Sequence, residues 1–337
     1  MISDERKLVL AIDFNNMVFS SFYGQELINS QGINVNAVKS FFVKIKILRE
    51  IFNPDYIVVA SDLSRERTFR RRLCPTYKAQ RKKTDPGIGI QMKIAGQIVA
   101  LLGFPTLNNE LYEADDILGM ISRFDESLGM DTVIASSDRD LYQLVSDHTF
   151  IMNPRGNDLV DREYIRDNYG LTPEQWIDLK TLQGDPSDNI PGIPGIGQKT
   201  ALELMHRYGS LDNIYANLND IPLKIRSRLI VGEPSIPITR ELVTIVTDYS
   251  LIDMCIEKLY RTEVCEEEVM GVIQDLEIYS LLDVMRYHLL PQPNDRIQVY
   301  DRKEVLNATR KSNNSSNGIV RSESQSIPSG AVILSSY

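Results

Sequence analysis

The acidic residues most able to do chemistry fall into five short groups: Asp13; Asp62; Glu113, Asp115 and Asp116; Asp138 and Asp140; Asp185 and Asp188. Taken singly, each group has an ordinary explanation. A lone Asp after a strand is a turn former or helix cap, acids before an apolar run suit a first helical turn, and Gly184-Asp-Pro-Ser-Asp-Asn reads as a turn. Taken together, nine carboxylates in one site would repel each other until several stayed protonated. Hard divalent cations such as Mg²⁺ or Mn²⁺ relieve that repulsion, because they take oxygen ligands. Two such ions roughly 4 Å apart are the known device for in-line phosphodiester hydrolysis. Other catalysts are scarce. The three histidines (His148, His206, His288) lie far apart, and the three cysteines (Cys74, Cys255, Cys265) form no CxxC pair. Histidine triads, zinc fingers and disulfide frameworks are therefore poor readings.

A basic run complements the acids. Between Arg65 and Lys83 there are nine basic residues against one acidic residue, Glu66. Phe69-Arg-Arg-Arg and Tyr77-Lys-Ala-Gln-Arg-Lys-Lys mix aromatic and cationic side chains, which suits gripping phosphates and stacking a base. An isolated basic run is usually a solvated loop; beside a metal cluster it reads as a nucleic-acid contact. The segment Gly192-Ile-Pro-Gly-Ile-Gly-Gln-Lys-Thr nearly spells a P-loop, but Gln198 separates the last Gly from Lys199 and no strand precedes it. Nucleotide hydrolysis is rejected. A Gly-rich turn opening a helix, with Lys199 and Thr200 in its first turn, suits sequence-independent phosphate binding.

These residues need elements to position them. Leu8 to Ile12, Tyr56 to Ala60 and Asp131 to Ala135 read as buried strands. Asp13, Asp62 and Asp138 sit at their carboxyl ends, where open α/β sheets bind ligands. Helices are expected over Asn36 to Phe52 and Ile88 to Leu102, the second stopped by Gly103. From Asp161 onward the pattern turns helical: Gln198 to Tyr208, Leu223 to Leu229, Thr239 to Thr247, and one or two helices within Glu266 to Leu290. The Ser- and Asn-rich stretch from Asn307 to Ser329 reads as disordered tail. The expected organisation is an α/β core over 1–180 with a mostly parallel sheet and a basic segment at 63–86. A helical part at 181–290 and a tail at 291–337 follow.

The 337 residues are 42% hydrophobic and 25% charged, ordinary for a globular chain. The net charge of −9, from 37 basic and 46 acidic residues, argues by itself against a nucleic-acid binder; the local basic run counts for more. The charged N-terminus leads into an apolar run too short for a signal peptide or membrane span, and the odd cysteine count suits a reducing, cytoplasmic setting.

The ordered motifs resemble one family. Ala-Ile-Asp13, Val-Ala-Ser-Asp62, Tyr77-Lys-Ala-Gln-Arg81, Glu113-Ala-Asp-Asp116, Ser137-Asp-Arg-Asp140 and Gly184-Asp-Pro-Ser-Asp188 through Lys199-Thr-Ala are similar to the structure-specific 5′-nucleases. That family includes the 5′-nuclease domain of bacterial DNA polymerase I, phage 5′-exonucleases and flap endonucleases. The likeness runs from about Leu8 to about Leu290, and Arg240 to Asp248 resembles a further family segment.

The resemblance implies that the core is catalytic and PIN-like, that the basic segment is an arch, and that the helical part is DNA-binding, with a helix–hairpin–helix-like element at 184–208. It implies that Asp13, Asp62, Glu113 and Asp115 hold a first metal, and that Asp116, Asp138, Asp140 and Asp188 serve a second, with Asp185 close by. It places Lys78 and Arg81 on the scissile phosphate and Tyr77 against a base. DNA contacts are expected from Arg70, Tyr77, Lys78, Arg81, Gly192, Gly195, Gly197, Lys199 and Thr200, with a K⁺ bridging hairpin carbonyls and a phosphate. Pro75 interrupts the basic segment and would break a continuous arch helix until substrate binds. The expected activity is Mg²⁺-dependent 5′–3′ exonuclease and flap cleavage of DNA carrying a free 5′ end, flap or nick, by a free-standing monomer. The rival readings are a 5′-nuclease that removes RNA primers from RNA–DNA hybrids and a catalytically inert DNA-junction binder.

Overall fold

The computed structural model describes residues 2, 5–63, 66–81, 85–156, 158–293, 295–297 and 299–300. The tail expected at Asn307 to Ser329 lies outside the described residues, as does part of the arch expected at 63–86.

Strand β1 (Leu8–Asp13) is apolar along its length and buried on both faces. It pairs in parallel with β2 (Tyr56–Ala60) on one side and β4 (Asp131–Ala135) on the other. The sheet has six strands in the order β3-β2-β1-β4-β5-β6, with β3 at Thr106–Leu107, β5 at Thr149–Asn153 and β6 at Asp158–Val160. All neighbours are parallel except β5 and β6. Successive β1 side chains feed two cores. Val9 and Ala11 join one, with Ile117, Met120 and Ile121; Leu8, Leu10 and Ile12 join the other, with Phe41, Phe42, Ile45 and Ile98. Helices on both faces are what a parallel sheet demands.

Helices α1 (Phe14–Phe22), α2 (Asn36–Phe52) and α4 (Pro86–Leu101) cover one face, and α5 (Ala114–Ser127) the other. Helix α4 begins two residues before the expected Ile88, because Asp85 caps it and Pro86 fits its first turn. It stops at Gly103, whose φ of +69° and whose contact with the Thr262 carbonyl leave no room for a Cβ. Between them, the short α3 (Phe69–Leu73) carries the basic segment and ends at Cys74, just before the proline.

The C-terminal half contains α6 (Arg162–Tyr169), α7 (Trp176–Gln183), α8 (Gln198–Tyr208), α9 (Leu211–Ala216), α10 (Leu223–Gly232), α11 (Ile236–Val243) and α12 (Glu266–Asp275). A two-residue hairpin, β7 (Gly184–Asp185) with β8 (Ile190–Pro191), joins α7 to α8. Helix α11 starts and ends earlier than the expected Thr239 to Thr247. Beyond Val243 the backbone is drawn out, since its polar groups serve other side chains: the Leu242 and Thr244 carbonyls accept from Arg70, and the Val246 amide donates to Asp116.

Candidate active site

Asp13 closes β1 and caps α1. Its carboxylate accepts from the Asn16 amide at 3.0 Å and the Ser136 hydroxyl at 2.7 Å. Burial pushes its pKa up from 3.8 to about 7, with Asp138 and Asp62 adding repulsion. Asp62, two residues beyond β2, accepts from the Ala114 amide at the start of α5 at 2.8 Å, and its own amide donates to Asn15 Oδ1 at 3.1 Å. Asp138, three residues beyond β4, accepts from the Asp140 amide at 2.9 Å and donates its own to Ser136 Oγ at 3.1 Å. Asn16 Oδ1 accepts from both the amide and the hydroxyl of Ser137. The β1 and β4 ends are thus stitched together by Ser136, Ser137 and Asn16. None of these neutral residues was singled out from the sequence; their signal was adjacency to Asp13 and Asp138.

Helix α5 brings Glu113 and Asp115. Glu113 accepts from Tyr77 Oη at 2.7 Å and Lys78 Nζ at 2.8 Å. Asp115 is pushed well above the ordinary carboxylate range by burial, with Asp138 and Asp13 adding repulsion. Asp140, in the turn after Asp138, rises to about 6 through burial and the charge of Asp138. Lys180 of α7 lies between Asp140 at 2.6 Å and Asp185 at 2.7 Å. Burial works against the charge of Asp185, yet Lys180 and Ser187 hold its pKa below normal. Lys180 was also missed: one lysine in a helix interior carries no local mark of its partners.

The basic segment folds onto the β7–β8 turn. The Lys78 amide donates to the Asp188 carbonyl at 2.8 Å, Asn189 Nδ2 to the Thr76 carbonyl at 2.7 Å, and Gln80 Nε2 to the Pro186 carbonyl at 2.7 Å. Lys78 holds a left-handed φ of +54° and sits 3.6 Å from Asp188 as well as on Glu113. Burial opposes its charge, but these two carboxylates push its pKa above the ordinary lysine value. Arg81, largely exposed, also pairs with Asp188.

Three expected roles do not match these positions. Arg70, expected on DNA, is 3% exposed. Its guanidinium reaches both Asp116 oxygens, at 2.6 and 2.7 Å, and the Leu242 and Thr244 carbonyls. Asp116, expected at the second metal, is 0% exposed. Each of its oxygens accepts twice: Oδ1 from Arg70 and the Val246 amide, Oδ2 from Arg70 and the Glu113 amide. That leaves no lone pair directed toward an ion. Tyr77, expected to stack on a base, is 4% exposed, with its hydroxyl on Glu113.

Whether the remaining acids fit a metal is decided by their donor chemistry. They offer only carboxylate oxygens, and Asp13, Asp115 and Asp140 are held above their ordinary pKa by burial and by the charge of neighbouring acids, Asp138 above all. A hard divalent cation is the ligand that removes this penalty, so the set fits such an ion. Among the described residues, no three His, Cys, Asp or Glu side chains are gathered closely enough to hold an ion between them. Like charges repel, and the ammonium groups of Lys78 and Lys180 stand among them. The turn expected to bind phosphate is exposed at Gly195, Gly197 and Lys199, and half-buried at Gly192 and Thr200. Helix α8 carries no side-chain cap at Gly197.

The family model for the 5′-3′ exonuclease N-terminal resolvase-like domain matches residues 8–170, and that for the 5′-3′ exonuclease C-terminal SAM fold matches residues 171–267. The chain belongs to the 5′-3′ exonuclease family. A 5′-3′ exonuclease of Halalkalibacterium halodurans is 35% identical over 259 residues, covering 73% of this chain and 86% of that protein. DNA polymerase I of Bacillus subtilis is 32% identical over 285 residues, covering 83% of this chain but 32% of that protein. The chain thus spans about a third of the length of the polymerase relatives it matches. Among solved structures, bacteriophage T5 5′-exonuclease with bound divalent metal ions (zinc) has the same fold. Its TM-score is 0.59 at 21% identity, covering 83% of this chain and 98% of that one. The catalytic core of Rad2 in complex with DNA substrate aligns at a TM-score of 0.53 and 14% identity, over 84% of this chain and 92% of that one. Among the described residues no helix is long and apolar enough to cross a membrane.

Proposed function

We propose that this chain is a divalent-metal-dependent 5′–3′ exonuclease and flap endonuclease that hydrolyses DNA at a free 5′ end, flap or nick. The observation that carries the reading is the convergence of Asp13, Asp62, Asp138 and the α5 acids at the carboxyl edge of the sheet, facing Lys78 and Arg81. The family and the metal and DNA complexes of its structural neighbours support it.

Asp13, Asp62, Glu113 and Asp115 would hold one ion; Asp138, Asp140, Asp185 and Asp188 would serve the other. Bound Mg²⁺ or Mn²⁺ would supply the charge that activates water and steadies the leaving oxygen. Asp116 and Arg70 take a different role: their buried pair ties α3 to α5, to the end of α11 at Leu242 and to the extended segment after it. Tyr77 and Lys78 hold Glu113, so the arch base and the first acid of α5 move as one unit. To meet a phosphate, Lys78 and Arg81 exchange their carboxylate partners for its oxygens. Both groups carry charge that is worth most where charge grows during attack.

A gel tests this reading: a 5′-labelled flap, a nicked duplex and an RNA–DNA hybrid, each with Mg²⁺, Mn²⁺ or EDTA. Metal-dependent cleavage of flap and nicked DNA is expected. Cleavage of the hybrid alone would make the chain a primer-removing ribonuclease, and binding without cleavage in any metal would make it a junction binder.

A further inference from the structure

Lys78 sits where two groups of acids meet. Its ammonium lies 2.8 Å from Glu113 Oε1 and 3.6 Å from Asp188 Oδ2. Glu113 caps α5, and Asp188 lies in the turn between β7 and β8. One side chain of the basic segment thus bridges acids that the proposed function assigns to different ions. Its backbone is tied to the same turn: the Lys78 amide donates to the Asp188 carbonyl at 2.8 Å, and φ is +54°. A left-handed backbone is unfavourable for a lysine, and these contacts offset it. Lys180 bridges Asp140 and Asp185 in a parallel way, but from inside α7, where the helix fixes it. Lys78 stands beyond the end of α3, on a stretch that no helix holds. Of the two lysines it is the one with a path away from its acids. Glu113 keeps Tyr77 Oη at 2.7 Å when the ammonium leaves.

Charge links that departure to the ion. When Lys78 turns toward a phosphate, Glu113 and Asp188 lose a counter-charge, which is costly for poorly solvated carboxylates. A divalent cation on the same acids restores the counter-charge and repels the ammonium. We propose that Lys78 competes with a divalent cation for Glu113 and Asp188, and leaves them for the substrate phosphate when that cation is taken up. The arch base is thereby a charge-exchange device that grips phosphate only after the acids are metal-loaded. The inference rests on the proposed nuclease reading and adds an order of events to it.

Mn²⁺ binding to the DNA-free protein, followed by electron paramagnetic resonance, tests the competition without any cleavage. Lys78→Met keeps the stem and removes the charge; it should bind Mn²⁺ about tenfold more tightly than wild type. Lys78→Arg keeps a charge and should bind like wild type. Release is read by acetylating wild-type protein with acetic anhydride and following each lysine by mass spectrometry. Lys78 should react several-fold faster in saturating Mn²⁺ than in EDTA, while the exposed Lys93 of α4 reacts equally in both. Equal or weaker Mn²⁺ binding by Lys78→Met would show that Lys78 positions the acids for the ion instead of competing with it, and would overturn the proposal. An unchanged acetylation rate at Lys78 would overturn it too. A circular-dichroism melt of each variant separates lost folding from altered binding. Failure of the nuclease reading looks different: wild type and Lys78→Met alike would bind no Mn²⁺, and the proposal would fall with it.

Discussion

Asp13 and Asp116 look alike in sequence, and the structure predicts that removing their charges has opposite effects on stability. Asp116 accepts four hydrogen bonds from Arg70 and two backbone amides. Asparagine can accept at one oxygen only, and its amide would face donors. Arg70 would stay buried without its counter-charge. Breaking such a pair costs about 3–5 kcal/mol, and at this chain length each kcal/mol moves the melting midpoint by about 2 °C. Asp116→Asn should therefore melt on the order of 6–10 °C lower. Asp13 is the reverse case. Its folded pKa of about 7 lies above its ordinary 3.8, so the folded state binds its proton more tightly. The resulting stability is full below the unfolded pKa and is lost as pH rises through the folded one. At pH 8 the ionised carboxylate costs roughly 4 kcal/mol, and an asparagine can still accept from the Asn16 amide through its Oδ1 while its own amide donates to the Ser136 hydroxyl. Asp13→Asn should therefore melt higher than wild type in EDTA at pH 8. The assay is a circular-dichroism melt of each protein in EDTA and across a Mg²⁺ titration. Wild type and Asp116→Asn should gain stability from the cation at similar concentrations, and Asp13→Asn should gain little. If Asp116→Asn melts like wild type in EDTA and loses the Mg²⁺ response, Asp116 is a metal ligand and the structural role of the Arg70 pair is wrong.

Other predictions separate the roles of the basic residues and of a remote acid. Lys78→Ala should slow single-turnover cleavage at saturating DNA by about 100-fold, whereas Arg67→Ala, which removes an exposed partner of Glu110, should change only salt-dependent affinity; equal effects on affinity with intact rates would sink the contrast. Lys199→Ala should weaken duplex binding across sequences and reduce the salt slope by about one; a lower cleavage rate at unchanged affinity would move Lys199 into the chemistry. Asp125, buried against Thr132 at 2.7 Å and pushed up to about 8 by burial, costs stability as pH rises through that value. Asp125→Asn should flatten the fall in melting temperature between about pH 5 and 8, and an unchanged slope would show that this carboxyl does not titrate there.

The sequence was most legible where structure is decided locally. Strands β1, β2 and β4 are apolar runs that end near acids, and α2 and α8 carry full helical periodicity with stop signals, so their bounds were readable. Strands β3 and β6 are two and three residues long and exist because a neighbouring strand offers an edge. The early end of α11 depends on side chains from 70, 116 and 143, which compete for its backbone. No local pattern encodes that competition.

The pairing of Asp116 with Arg70 has a different origin, because the information for it was present in the sequence. Glu113 caps α5, and Asp115 and Asp116 are consecutive residues in its first turn. Consecutive helix positions point about 100° apart, so two adjacent aspartates leave the helix in different directions, and here Asp116 points at Arg70. Asp116 turns into the protein, where an unpaired carboxylate would carry a large desolvation cost. A buried aspartate therefore demands a buried cation, and the basic segment at 65–83 is where the chain is richest in them. Read this way, the excess of arginine there has two parts. Lys78 and Arg81 follow Pro75, where α3 has ended and the chain can turn back over the acids. Arg70 precedes it, inside the short helix, and is the member of the run placed to neutralise Asp116. The same proline that ends α3 thus divides the cations of the run between a structural pair and the proposed phosphate contacts.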